Sequence, residues 1–273
     1  MSDLLNNAPL GRDITYPERY DPELLFALPR AENRKALTLP ATWYGADIWN
    51  AYEMSWLDSR GKPIVAVGTF IIPHDSPCLI ESKSFKLYLN SWNQETVDSS
   101  RTLEQRMAND LSQAAGAPVA VTITEMDALT NVACRPMGGE NIDGQEVTIQ
   151  HYTPEPNLLA CNANAQVVSE TLTSDLLKSN CPVTGQPDWG SVQIQYRGHP
   201  IDRAALLAYI VSMRRHTEFH EHCVEKIYSD IMRACAPEQL LVYARYTRRG
   251  GLDINPWRSS HPTTVDNVRT PRQ

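Results

Sequence analysis

Four segments concentrate the residue types that nucleophilic, acid–base and ligand-binding chemistry needs. In Lys178–Ser191, a lone Cys181 stands seven residues before Asp188, among Pro182, Gly185, Pro187 and Gly190. A thiolate can attack carbon and a carboxyl can deliver a proton, so this pair supplies a nucleophile and a proton donor. Only about 3% of an unperturbed thiol is ionised at neutral pH, so such a site must lower the cysteine's pKa. The prolines and glycines predict a loop throughout, and a structural cysteine in a polar loop fits the same letters. The second segment, Glu81-Ser82-Lys83-Ser84-Phe85-Lys86-Leu87-Tyr88, sits at a predicted helix start. Free N–H groups there, with Glu81, can hold a polar ligand, and Lys83 and Lys86 fall on nearly one face. A capped amphipathic helix with solvated lysines is the competing reading. Phe219-His220-Glu221 sets an imidazole beside a carboxylate, able to read the edge of a heterocycle or simply to face solvent. Arg245-Tyr-Thr-Arg248-Arg249-Gly250-Gly251 is a cationic turn whose guanidinium forks and bare N–H groups suit phosphate. A solvated turn suits it equally.

Other chemistries lack their signatures. There is no Gly-x-Gly-x-x-Gly, no phosphate loop ending Gly-Lys-Ser/Thr, no Gly-x-Ser-x-Gly and no His-Glu-x-x-His. His216 and His220 stand at helical i, i+4 spacing, and a zinc site using His220 and Cys223 is the metal-binding alternative.

The elements that must position these residues are written twice in pattern, though not in letters. Ala46–Leu57 and Ile64–Ile72 flank Arg60-Gly61-Lys62-Pro63 and predict a hairpin. Helices follow over Glu81–Ser91 and Ser100–Ala115, the second carrying Leu103, Met107 and Leu111 and stopping at Gly116. Val119–Glu125 then predicts a strand, with Glu146–Tyr152 as its partner. The second half repeats the order: strands over Ala165–Leu172 and Val192–Tyr196, a helix capped by Asp202, a helix over Thr217–Cys235, and strands over Leu240–Tyr246 and Gly251–Ile254. The first helices of the halves begin 121 positions apart, at Glu81 and Asp202. The order ββααββ predicts an α+β fold with antiparallel sheets. Residues 1–40, with five prolines, predict an N-terminal arm, residues 41–155 a first module and residues 156–273 a second, joined within 127–160.

Composition narrows the class. The chain has 273 residues, of which 42% are hydrophobic and 21% charged, so it is globular over most of its length. A net charge of −7 argues against coating nucleic acid or anionic lipid. No apolar run approaches a membrane span, and Met1-Ser-Asp-Leu-Leu lacks the pattern of a secretion leader. Six cysteines without regular spacing predict reduced thiols rather than a disulfide framework, and hence a cytoplasmic protein.

Together the four segments closely resemble the NADPH-dependent 7-cyano-7-deazaguanine reductases, the nitrile reductases of queuosine biosynthesis and so of tRNA modification, in their long two-module form. The match runs through Glu81–Tyr88, Cys181 with Asp188-Trp189-Gly190-Ser191, Phe219-His220-Glu221, and Arg248-Arg249-Gly250-Gly251-Leu252-Asp253-Ile254-Asn255-Pro256. The resemblance implies tandem tunnelling-fold modules, with helices packed on one face of antiparallel sheets. It implies Cys181 as nucleophile, forming a thioimide, and Asp188 as general acid. It further implies Ile80, Glu81, Ser82, His220 and Glu221 at the substrate, and Ser82, Lys83, Arg249 and Gly250 at NADPH, with Lys86 as a further candidate. Two NADPH per nitrile, no metal and a homodimer are also implied. The alternatives are a zinc-dependent pterin-type cyclohydrolase on the same fold, with Cys181 as a ligand beside His220, and a non-catalytic deazapurine-binding protein.

Overall fold

The computed structural model describes residues 16–130 and 132–273. The part of the expected arm before residue 16 lies outside them. Two compact units divide the chain, and each gathers separated stretches. One holds residues up to Lys35, Asp47–Val132 and Arg248–Ile254; the other holds Ala36–Ala46, Ala133–Thr247 and Asn255–Gln273.

In the first unit, β1 (Ala27–Pro29) pairs antiparallel with the later β4 (Cys78–Ile80). Strand β2 (Tyr44–Leu57), which enters this unit at Asp47, neighbours β3 (Pro63–Pro73), and β3 pairs antiparallel with β5 (Ala120–Glu125). Between β4 and β5 come α1 (Ser82–Ser91) and α2 (Ser100–Ala115). Leu103, Met107 and Leu111 point as their spacing requires, all buried in a core with Trp49, Phe70, Phe85 and Trp92. Gly116 ends α2 in the left-handed region at φ 73°, where a side chain would also meet the Pro77 ring.

The second unit has β6 (Glu140–Asn141), β7 (Val168–Asn180) and β8 (Pro187–Gly198), then α3 (Arg203–Ser212), α4 (His220–Cys235), β9 (Gln239–Tyr246) and β10 (Leu252–Ser259), whose first three residues count with the first unit. The strand order is β10-β9-β8-β7-β6. Its named pairs are antiparallel except the short parallel β6–β7 contact. The core combines Val192, Ile194 and Tyr196 of β8 and Val242, Ala244 and Tyr246 of β9 with Leu206, Tyr209, Val224 and Ile227 of the helices.

Both helix pairs carry the same internal bonds. Tyr88 donates to Asp110 at 2.6 Å and Tyr209 to Asp230 at 2.8 Å. Ser91 and Ser212 each bond back to the tyrosine carbonyl three residues earlier, at 2.6 Å. The two tyrosines are 121 positions apart, the offset already read between Glu81 and Asp202. Ala236 closes α4 at φ 42°, where Gly116 closes α2.

Three expectations need correction. Glu146–Tyr152 joins no ladder among the described residues. The edge of β7 is instead taken by Glu140–Asn141, and Ile142 donates to Thr173 O at 2.9 Å. Val147 and Ile149 still alternate in burial with their neighbours, which is why the letters read as a strand. The strand placed at Ala165–Leu172 runs on to Asn180, through a polar stretch with a bulge between Ser174 and Leu177. Finally, α4 begins at His220 rather than Thr217, so His216 precedes it and the i, i+4 face with His220 does not form.

No helix among the described residues is long and apolar enough to cross a membrane.

Candidate active site

The segment predicted as one loop is a β-hairpin. β7 ends at Asn180, β8 starts at Pro187, and the register pairs Asn180 with Pro187 and Ser179 with Asp188. Proline is tolerated as the first residue of a strand, so its presence does not bar pairing. Cys181 occupies the turn: its N–H donates to Gln186 O at 2.9 Å and its carbonyl accepts from Gly185 N at 3.0 Å. Gly185 supplies the positive φ (69°) that closes this turn. As register partners Ser179 and Asp188 share one sheet face, and Cys181 stands in the turn just beyond Asn180. Ser179, Cys181 and Asp188 are buried.

The first turn of α4 completes this constellation. His220 Nε2 lies 3.3 Å from Asp188 Oδ2, and its ring stacks on Tyr246 with centroids 4.0 Å apart. The adjacent Glu221 is buried. Burial pushes the Tyr246 hydroxyl well above its usual range and the Cys223 thiol up to about 11. Cys223, which lies against the Tyr246 and Ser179 hydroxyls, is therefore a neutral thiol at physiological pH. Cys223 sits in the helix-covered core, whereas Cys181 stands in the turn of the hairpin. A thiol, a carboxyl and an imidazole so arranged can attack an electrophilic carbon and move a proton to the atom beside it.

Tyr246 was not singled out as a site residue, and Gly190 explains its position. The two are register partners, and a Cβ on Gly190 would stand 3.1 Å from the Tyr246 ring. Gly190→Val is expected to displace Tyr246 from His220 and to destabilise the fold by about 1–3 kcal/mol, as overpacking does. Thermal unfolding checks this. A melting temperature equal to wild type would show that the ring contact is not tight.

Beside this site, burial lowers the His216 pKa to about 3 and raises that of Glu218 to about 7. The signs oppose. Neutral buried His216 makes stability rise with pH from about 3 to its unfolded value near 6.5. Protonated Glu218 is favoured by folding, so stability falls as pH rises from about 4.5 to about 7. Glu218→Gln removes only the second effect. It is expected to be more stable than wild type at pH 8, by about 1–3 kcal/mol, with the advantage vanishing below about pH 5. Melting curves across that range check the sign.

In the first unit, Glu81 is the N-cap of α1 and is fully buried. Its two oxygens accept from Lys83 N and Ser84 N, both at 2.7 Å. Burial raises its pKa, against those two bonds, the Lys86 charge and the Ser82 hydroxyl, which lower it. Ile80, just before it, is buried at the end of β4. Ser82 opens the helix, half-buried. The two lysines part company. Lys83 Nζ lies 3.4 Å from the Tyr16 hydroxyl, whereas a Cβ on Gly250 would meet Lys86 Nζ at 3.2 Å. The turn around Gly250 is tight: Arg249 N donates to Leu252 O at 2.9 Å, and Gly250 and Gly251 have φ 56° and 73°. A bare backbone beside an ammonium group, with the Arg249 guanidinium in the same turn, fits a phosphate-bearing cofactor. Arg245, read as the start of this turn, belongs instead to β9 and is buried.

Comparison with known proteins agrees along the chain. Residues 16–123 match the family model described as nitrile reductase, 7-cyano-7-deazaguanine-reductase N-term, and residues 187–264 match the one described as QueF-like protein. A protein of Bordetella parapertussis named NADPH-dependent 7-cyano-7-deazaguanine reductase is 58% identical over 272 residues, covering 98% of this chain and 99% of its own. Proteins of the same name from Chromobacterium violaceum and Hahella chejuensis are 53% and 52% identical, over 98% and 97% of this chain and 97% of each of theirs. The chain belongs to the NADPH-dependent 7-cyano-7-deazaguanine reductase family.

Proposed function

We propose that this chain reduces the nitrile of 7-cyano-7-deazaguanine to an aminomethyl group, using NADPH, as a step in queuosine biosynthesis. The reading rests on the hairpin that carries the buried Cys181 and Asp188, with Asp188 3.3 Å from His220. Near-full-length relatives of that name support it over the zinc cyclohydrolase and over a binding protein without activity.

A nitrile carbon is a poor hydride acceptor. Cys181 attacks it, forming a C–S bond while Asp188 delivers a proton to nitrogen, and the thiol proton replaces the one delivered. The product is a thioimide, a better acceptor. The His220 ring stands 3.3 Å from Asp188 and stacks on Tyr246, which holds the imidazole beside the carboxyl, and His220 is assigned to the substrate together with Glu221. Cys181 and Asp188 are themselves buried, although Thr184, Gly185, Gln186 and Pro187 between them are exposed, and that burial limits water at the thioimide. NADPH, when bound, supplies the hydrides, and nitrile to amine is a four-electron change, so two are used. Arg249 and Gly250, with Lys86 beside them, would hold its phosphates, and Ser82 and Lys83 at the start of α1 would be further contacts. Glu221, and in the first unit Ile80, Glu81 and Ser82, recognise the base, since an ionised carboxylate accepts from guanine-like N–H groups.

The fold proposed with this activity is a tandem tunnelling fold, with an arm over 1–40 and modules over 41–155 and 156–273, in a cytoplasmic homodimer. The shared Tyr–Asp and Ser–Tyr bonds of the two helix pairs support the repeat.

The direct test mixes enzyme, nitrile and NADPH and measures NADPH oxidised against aminomethyl product. Two per product is expected; a bound nitrile with no NADPH consumed contradicts the reading. Arg249→Ala is expected to raise the NADPH KM about tenfold or more by removing a charge-assisted phosphate contact, and to affect NADH use much less. Equal losses with both cofactors would place Arg249 elsewhere.

A further inference from the structure

Helix α4 brings His220 and Glu221 to the site, yet its own start is weakly fixed. Its N-cap residue, Phe219, makes no side-chain cap bond. The helices α1, α2 and α3 each have one, from Glu81, Ser99 and Asp202. Without a cap, the first turn depends on what holds the chain just before it. That chain is Arg214–Glu218, and it is tied to the hairpin next to the nucleophile.

Asn180 immediately precedes Cys181, and each of its polar atoms is engaged. Its N–H donates to His216 O at 2.8 Å and its carbonyl accepts from Glu218 N at 3.2 Å, a parallel bridge one residue long opposite Thr217. The side chain reinforces that bridge. Nδ2 donates to Arg214 O at 3.3 Å and to His216 O at 3.4 Å, and Oδ1 accepts from Lys178 Nζ at 2.6 Å. Lys178 Nζ also donates to Arg214 O at 2.9 Å. Arg214 belongs to the short helical turn Met213–Arg215 that follows α3, where carbonyls lack helical partners and a cation is favourable. An amide suits this place because it donates to carbonyls and accepts from an ammonium at once.

We infer, on the reading of Cys181 as nucleophile and Asp188 as acid, that Asn180 and Lys178 are positioning residues. Together they clamp the hairpin that carries Cys181 and Asp188 against the uncapped first turn of α4, and so fix the contact between Asp188 and His220. The bridge at Thr217 stands three positions before His220, and Asn180 one before Cys181. Slack in the clamp therefore passes directly to both. Neither residue has to touch the substrate. Attack on carbon needs close alignment, and a misplacement of about 1 Å can cost about a hundredfold in rate. Binding tolerates such a shift better, so the clamp acts on rate more than on affinity.

The test follows adduct formation by rapid quenching and intact-protein mass, with 7-cyano-7-deazaguanine at several concentrations and no NADPH. In Asn180→Ala and in Lys178→Met the maximal rate should fall about 10–100-fold. The half-saturating concentration should change little, and the final amplitude should stay at one adduct per chain. A variant that was merely part-unfolded would lose amplitude without slowing its folded chains. Lys178→Arg keeps a cation with donors for both acceptors and should recover most of the rate. The double variant should be about as slow as the slower single, as two parts of one clamp require. The inference is overturned by an unchanged rate in Asn180→Ala, by amplitude lost at an unchanged rate, or by Lys178→Arg as slow as Lys178→Met. A double-variant loss equal to the product of the two singles overturns it too. No adduct in the wild type would remove the reading of Cys181, and the clamp with it.

Discussion

Cys181→Ala is expected to abolish NADPH oxidation while leaving the deazaguanine bound. The substitution removes the sulfur but keeps the turn, whose bonds to Gln186 and Gly185 use only the Cys181 backbone. Hydride addition to the free nitrile is then the remaining route, and covalent activation is what makes the carbon a competent acceptor. Calorimetry with the nitrile should give an affinity near that of wild type, and a spectrophotometric assay should show no turnover. Lost binding would give the residue a structural part. Full activity would end its assignment as nucleophile.

Asp188→Asn separates protonation from attack. The amide is nearly the same size, so the pairing with Ser179 and the buried position are retained, but no carboxyl proton remains. General acid catalysis commonly contributes about 10²–10⁴-fold, and a loss of that size in kcat is expected. Substrate binding should change much less, because the carboxylates assigned to the base, Glu81 and Glu221, are left intact. The pH profile gives a sharper readout. Adduct formation by wild type should fall as the acid loses its proton, and the corresponding limb should be missing in Asp188→Asn. An unchanged limb would assign it to another group.

Much of this arrangement was legible in the letters, for physical reasons that differ by element. Apolar spacing placed both long helices, because Leu103, Met107 and Leu111 can be buried together only on one helical face. The 121-residue offset was readable from helix caps, and it recurs in the Tyr88–Asp110 and Tyr209–Asp230 bonds. The Cys181 hairpin was not. Proline and glycine weigh as breakers in a local reading, whereas Pro187 opens a strand and Gly190 makes room for the Tyr246 ring. The second of these depends on β9, whose Tyr246 is more than fifty residues away. Glu146–Tyr152 failed in the reverse sense, since alternation signals a half-buried strand but cannot supply a free edge to pair with. Arg245 read as part of a surface turn because charge suggests exposure. Its burial follows from the alternation of β9 and from the C-terminal residues covering that face.

The central claim is that Cys181 forms a covalent bond to the nitrile carbon before any hydride is added. Mass spectrometry of the wild-type protein mixed with 7-cyano-7-deazaguanine, without NADPH, tests it most directly. The account predicts one adduct per chain, reversible on dilution, on a peptide containing Cys181. An adduct on Cys78, Cys134, Cys161, Cys223 or Cys235, or none under conditions where the nitrile is bound, would contradict it.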